Sequence, residues 1–233
     1  MGVSKPQIDL LPWDPDSSEH VERLYQQRRA CGWNKQAVEE WRSLQRDGKI
    51  ALHWVVLPAS DPSTASKLNV HTTAWPAEST TISDSCTNFG GKPRIPHPER
   101  VFVPVGHISL DSENEDPEQA DAIRGIYRIS SFYISTALQS AGIGGATMDA
   151  IERYPGKKER WEAKMADGIV EPPKVQNANV KQFSNQDWYT RRGYEVSGYR
   201  DKMWSETDSK GTVWYLTQVK MRKDIKGSSF HDN

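Results

Sequence analysis

The sequence predicts a mixed α/β domain. Apolar runs of strand character at residues 50–57, 101–110 and 126–135 are interleaved with stretches of helical periodicity. At 233 residues the chain is long enough for one large domain over residues 1–233, with a core that needs no disulfide or metal staple. Hydrophobic residues make up 36% and charged residues 26%, the balance of a polar globular protein.

The first helix is expected to begin near Asp16, with Glu19 as its capping-box partner. Val21, Leu24, Tyr25 and Cys31 share one face, and Gly32 is a natural stop. A second helix follows Asn34, turning Ala37, Val38, Trp41 and Leu44 inward and stopping at Gly48. Residues 50–57 (IALHWVVL) read as a strand buried on both sides, ended by Pro58. Residues 58–98 form a polar insertion between two strands. Its first thirty positions, 58–87, hold twelve Ser or Thr and three Pro, too polar to build a core of their own. Trp75 and Phe89 give it docking points, so it reads as a surface excursion or as a flap over a substrate. Residues 101–110 and 126–135 are further strands, separated by an acidic loop at 111–121. Residues 143–153 look helical and stop at Tyr154-Pro155-Gly156. Residues 156–181 are charged and poorly periodic. A short helix at 184–192 has Ser184 and Asp187 as its cap pair and Gly193 as its stop. Residues 194–204 and 212–221 form a hairpin across 205–211, and a flexible tail covers 224–233.

Composition excludes several classes of function. Thirty basic residues face thirty-one acidic ones for a net charge of -1, which argues against nucleic-acid binding. Cys31 and Cys86 are too few for a disulfide framework or a zinc cluster, so reduced thiols and a cytoplasmic location are expected, with no metal. No stretch approaches the ~20 apolar residues of a membrane span, and the opening residues lack a signal-peptide core.

Chemistry concentrates at residues 132–151, a strand, a loop carrying Gly142, Gly144 and Gly145, and a helix. Such a junction aims unpaired N–H groups and a positive helix end at one point, which suits a phosphate or pyrophosphate. Thr147 breaks the dinucleotide fingerprint G-x-G-x-x-G. A P-loop fails as well, because Gly90-Gly91-Lys92 runs into Pro93.

Gln139-x-x-Gly142-x-Gly144-x-Ala146 resembles the acetyl-CoA motif of the GNAT superfamily of N-acetyltransferases. Phe132-x-Ile134 falls where that family pairs an exposed strand with the pantetheine arm. Trp188-Tyr189-x-x-x-Gly193-Tyr194 is similar to its second signature, in the right order, and the style of these pairs resembles fungal members. The resemblance covers nearly the whole chain outside residues 58–98. It implies a central, mostly antiparallel, twisted sheet flanked by helices, with a long insertion between the second and third strands. It also implies acetyl transfer from acetyl-CoA to an amine, most simply of a small molecule, in a ternary complex. The implied cofactor contacts are Phe132, Tyr133, Ile134, Gln139, Ser140, Ala141, Gly142, Ile143, Gly144, Gly145 and Asn185, with Tyr189 as general acid.

Two features depart from the family pattern. Residues 156–181 offer only 168–170 and 175–183 in place of a regular apolar strand, and Asn185 stands four residues before Tyr189, closer than usual. No carboxylate occurs in 126–135, where some members carry their base. His107, Asp111 and Asp201 are the other candidates, or a water chain. Trp13, Trp41 and Trp54 look like core, whereas Trp188, Trp204 and Trp214 flank either an apolar acceptor cleft or more core. The rival readings are a protein or peptide acetyltransferase, with residues 111–121 lining a groove for a basic tail, and an acyl-CoA-binding module without catalysis. Replacing residues 61–94 with a short turn is expected to keep the fold and CoA binding while altering acceptor turnover or a homodimer.

Overall fold

The computed structural model describes residues 6–153, 161–165, 184–207, 211 and 213–225. The stop at Tyr154-Pro155-Gly156, the stretches at 168–170 and 175–183, and residues 208–210 of the 205–211 turn lie outside them. The chain divides into two compact units, one of Met1–Glu113 with Ser131–Gly156, the other of Asn114–Ser130 with Lys157–Asn233. Its elements are mixed: a mostly antiparallel sheet flanked by helices, as the resemblance implies.

The first unit opens with β1 (Asp9–Pro12), then α1 (Ser18–Cys31) and α2 (Val38–Arg46). Ser17, not Asp16, caps α1, and this one-residue shift leaves no capping box because Glu19 then misses the third helical position. Asp16 instead takes an ion pair from Arg46 at 2.7 Å. A 3-10 turn at Lys35–Ala37 leads into α2, which buries Val38 and Gln45. Gln45 caps two strand ends together: its amide donates to Trp13 O and its oxygen accepts from Leu52 N.

Strand β2 (Ile50–Val56) pairs antiparallel with β1, setting Leu11 opposite Trp54, and with β7 (Pro104–Asp111), setting Trp54 opposite His107. Every residue of β7 is buried. The strand expected at 101–110 is broken at Val103, because Pro104 has no N–H to continue a ladder. Its first part, β6 (His97–Phe102), turns to pair with β3 (Ile82–Asp84) instead.

The insertion builds core, against expectation. It carries α3 (Thr64–Ala74), a 3-10 turn at Pro76–Glu78, β3, and a small hairpin of β4 (Asn88–Phe89) and β5 (Lys92–Pro93). Ile82 sits opposite Phe102, and both join Leu11, Trp13, Leu24, Val38, Leu52, Trp54 and Val56 in the main cluster. Phe89 packs edge-on against the fully buried His53, ring centroids 4.6 Å apart. Trp41 is half-buried against the main cluster, and Trp13 and Trp54 lie fully within it. Hydrophobic content underrates this segment because its polar atoms find partners at a distance. Ser83 O bonds to His20 Nε2 at 2.8 Å, Ser85 Oγ donates to Asp14 at 2.6 Å, and Thr80 O accepts from Arg23. Within the insertion, Arg94 grips Asp84 through two bonds of 2.7 and 2.6 Å. A buried polar group so paired is no longer costly.

In the second unit, β8 (Ile126–Ile134) begins; it ends in the first. Asp121 caps the 3-10 turn Ala122–Arg124 before it. Strand β9 (Trp161–Met165) pairs parallel with β8 at Ile126–Ile129. This is the strand the sequence reading missed. Its letters, Trp161-Glu-Ala-Lys-Met165, alternate apolar and charged, a period-two signal hidden by the surrounding charge. Helix α5 (Asn185–Arg191) carries the expected capping box of Ser184 and Asp187. The hairpin of β10 (Glu195–Thr207) and β11 (Val213–Arg222) is longer than expected, and β11 joins β9 at Met221. The first two residues of the expected tail at 224–233 are instead β12 (Asp224–Ile225), paired with β9, and the rest lie outside the described residues.

Among the described residues no helix is long and apolar enough to cross a membrane.

Candidate functional site

The last residues of β8 alternate cleanly. Phe132 and Ile134 are half-buried on one face, while Tyr133 and Ser135 are buried on the other. Ser131 sits inside the strand at φ 49, a left-handed residue that bends it just before this stretch. β7 approaches closely here because Gly106 has no side chain. A Cβ on Gly106 would come within 2.2 Å of Tyr133 O, so no other residue fits.

After Ser135 the chain makes a 3-10 turn at Thr136–Leu138, extends at Gln139, and turns twice through left-handed residues, Ser140 (φ 66) and Gly142 (φ 76). Gly142 is the N-cap of α4 (Ile143–Ile151) and has no side chain to close the first turn. The N–H of Ala141 is used by Leu138 O at 3.3 Å, so it is not a free donor. Those of Ser140, Gly142, Ile143 and Gly144 meet no acceptor among the described residues. Four donors, two left-handed turns and the positive end of a nine-residue helix therefore converge on one exposed loop. Gln139 is exposed, and its side chain bonds to no described residue, so it does not cap the loop. On its other side α4 is anchored by the buried Ile143, Thr147, Met148 and Ile151. The implied contacts from Phe132 to Gly145 are thus contiguous. Tyr133 is the exception in direction, since its ring turns inward.

Behind this strand end lies a buried polar network that the sequence does not announce. Gln27 donates its amide to Glu78 and to Pro104 O, both at 3.0 Å, so its oxygen must face His107 Nδ1, 2.7 Å away. His107 therefore carries its proton on Nδ1, and its Nε2 accepts from Arg28 at 3.2 Å. Burial first, and then the Arg28 charge, hold His107 well below the usual histidine range. With both nitrogens engaged, His107 is a satisfied core histidine and not a base. Burial and the Glu78 charge push the Tyr133 hydroxyl up to about 12, so it stays neutral. Asp111 is buried and accepts from Ser109 Oγ at 2.9 Å.

In the second unit, Asn185 is exposed as the first residue of α5. Tyr189 is buried, its ring edge-on to Trp188 at 4.7 Å and to Tyr194 at 5.6 Å. Capping and aromatic packing together explain why Ser184, Trp188 and Tyr194 accompany Tyr189. Asp201 accepts from Thr217 Oγ1 at 3.0 Å. The acidic loop has partners of its own: Lys220 lies 3.8 Å from Asp116 and Arg124 2.8 Å from Glu118. Side-chain readings of Trp204 and Trp214 lie outside the described residues. No group of three or more His, Cys, Asp or Glu among the described residues is arranged to hold a metal ion.

No protein-family model matches the chain, and no curated protein does. Solved structures do. The N-acetyltransferase from Staphylococcus aureus Mu50 is 10% identical over 96% of this chain and 100% of its own, with a TM-score of 0.51. An aminoglycoside 6'-N-acetyltransferase complexed with coenzyme A is 10% identical over 96% of this chain and 99% of its own, with a TM-score of 0.49. The IAA acetyltransferase from Bacillus cereus is 12% identical over 94% and 99%, with a TM-score of 0.46. The chain has the fold of the GNAT acetyltransferases, as its two sequence signatures imply.

Proposed function

We propose that the chain is an acetyl-CoA-dependent N-acetyltransferase that acts on an amine of a small molecule by direct attack in a ternary complex. The observation that carries this reading is the loop at 139–144, whose four unpaired N–H groups form a cradle for an anion. Its chemistry fits a pyrophosphate: the donors are main-chain and neutral, and the loop is exposed enough to receive a bulky group. Ser140, Gly142, Ile143 and Gly144 would hold the pyrophosphate, with the Gln139 side chain at hand. Phe132 and Ile134, half-open on one face of β8, would line the pantetheine arm.

As the amine attacks, the thioester oxygen gains negative charge, and a main-chain N–H near Ile134 would stabilise it. Tyr189 supplies the proton that the departing thiolate needs, since a free thiol has a pKa of about 8.5. An alkylammonium must first lose a proton. His107 is engaged on both nitrogens, and Asp111 and Asp201 already accept from Ser109 and Thr217, so a water chain is the route we assign to that proton. The acidic loop answers its own cations, which favours a small amine over a basic protein tail.

The test is release of CoA thiol with a panel of primary amines, in wild type and Tyr189→Phe. Turnover with at least one amine is expected, reduced about a hundredfold in Tyr189→Phe with the acetyl-CoA KM retained. Tight CoA binding with no turnover on any amine would contradict catalysis and favour the binding-module reading. Turnover unchanged in Tyr189→Phe across pH 6–9 would remove Tyr189 as the acid.

A further inference from the structure

The insertion reaches into the strand end used by the proposed site. His71, near the end of α3, places Nδ1 2.9 Å from Ser135 Oγ. On its other side His71 Nε2 lies 3.5 Å from Glu78 Oε2, on the 3-10 turn that follows. The three side chains are sealed: Ser135 and His71 are 0% exposed and Glu78 is 2%. Glu78 Oε2 already accepts from Gln27, so it faces His71 as an acceptor. Nε2 makes no hydrogen bond at that distance, but the oxygen it faces can only accept, so we assign the imidazole proton to Nε2 and the Nδ1 lone pair to the Ser135 hydroxyl. Ser135 is then held at three points. Its N–H donates to Val105 O at 2.8 Å, its O accepts from Leu138 N at 2.9 Å, and its hydroxyl is fixed by His71. This residue follows Ile134 directly and opens the turn that leads to Ser140 and Gly142. A shift at Ser135 moves both the thioester end and the pyrophosphate end of the donor site.

We propose that His71 and Glu78 are positioning residues for acetyl-CoA, which makes the insertion part of the donor site and not a cover for the acceptor. The proposal rests on the acetyl-CoA reading above. Its physical content is geometric. A misplacement of about 1 Å at a reacting group is enough to lose much of the rate. The three hydrogen bonds at Ser135 remove that freedom, and two of the groups that orient the third come from residues 58–98.

The experiment uses the full chain and compares wild type with Ser135→Ala, His71→Gln and His71→Asn. CoA binding is measured by calorimetry, and the KM values of acetyl-CoA and of an accepted amine are measured separately. Ser135→Ala deletes one hydroxyl and leaves every apolar contact, so it reports even where a histidine variant fails to fold. Roughly fivefold weaker CoA binding is expected for Ser135→Ala and His71→Gln, the usual weight of one neutral hydrogen bond. The amine KM should stay within about twofold. In His71→Asn the amide oxygen takes the place of Nδ1, and CoA binding should recover to within about twofold of wild type. A packing role predicts the opposite order, because Gln fills more of the imidazole volume than Asn. Variants that bind CoA like wild type, KM values that move together, or His71→Asn as weak as His71→Gln would overturn the positioning role. Wild type that binds no CoA would instead overturn the acetyl-CoA reading.

Discussion

Three buried histidines govern how the first unit meets acid. His20 accepts at Nδ1 from both Asp14 N and Trp54 Nε1, each at 3.0 Å, so its proton sits on Nε2 facing Ser83 O. Burial lowers its pKa, lowers that of His53 to about 3, and together with Arg28 lowers that of His107. Each is neutral when folded and charges more easily when unfolded. The unfolded chain therefore binds more protons below pH ~6.5, and stability falls as pH falls. We expect the thermal midpoint to drop steadily from pH 7.5 to 5, toward the His53 value of about 3. A flat or rising midpoint in a pH-scanned melt would contradict these assignments. At Gly142, φ 76 and Pro6 atoms 3.2 Å from a would-be Cβ predict that Gly142→Ala costs about 1–2 kcal/mol in urea denaturation. Equal stability would mean the loop has another conformation. At this scale the sequence is only partly legible. His107, a candidate base on sequence alone, is a satisfied core histidine, because its two partners Gln27 and Arg28 come from a distant helix. Gln27 and Gln45 give no sign, since their roles exist only once distant backbone groups are brought to them.

The elements divide the same way. Helix α5 is legible in full, because capping is local chemistry written in adjacent letters: Ser184, Asp187 and the aromatic pair. Ser184→Ala should cost about 1 kcal/mol, measured as a loss of stability by urea denaturation. No change in the midpoint would mean the cap is made elsewhere. The insertion is illegible for the opposite reason. Its core contribution comes from Ile82 and Phe89 spread among Ser and Thr, and from polar pairs with α1. Replacing residues 61–94 with a short turn should accordingly unfold the first unit. The change would remove Ile82 from the main cluster and take Ser83 O from His20 Nε2 and Thr80 O from Arg23. Circular dichroism and a cooperative melt of the shortened chain check this; a native melt would contradict it. Strand β9 falls between the two, written as alternation but masked by charge.

For the whole molecule, apolar runs interleaved with helical stretches point to a mixed α/β domain, and paired signatures in register point to the GNAT fold. That much is legible because it depends on order and spacing along the chain. The cradle at 139–144 depends on two left-handed turns, of which Gly142 is readable and Ser140 is not. Its occupant is the central claim, and calorimetric titration of CoA into wild type and Gly144→Trp tests it most directly. Wild type should bind CoA at one site, and Gly144→Trp should bind at least about tenfold more weakly, because an indole would stand where the pyrophosphate meets the helix start. Equal affinity in the two proteins, or no binding to wild type, would contradict the account.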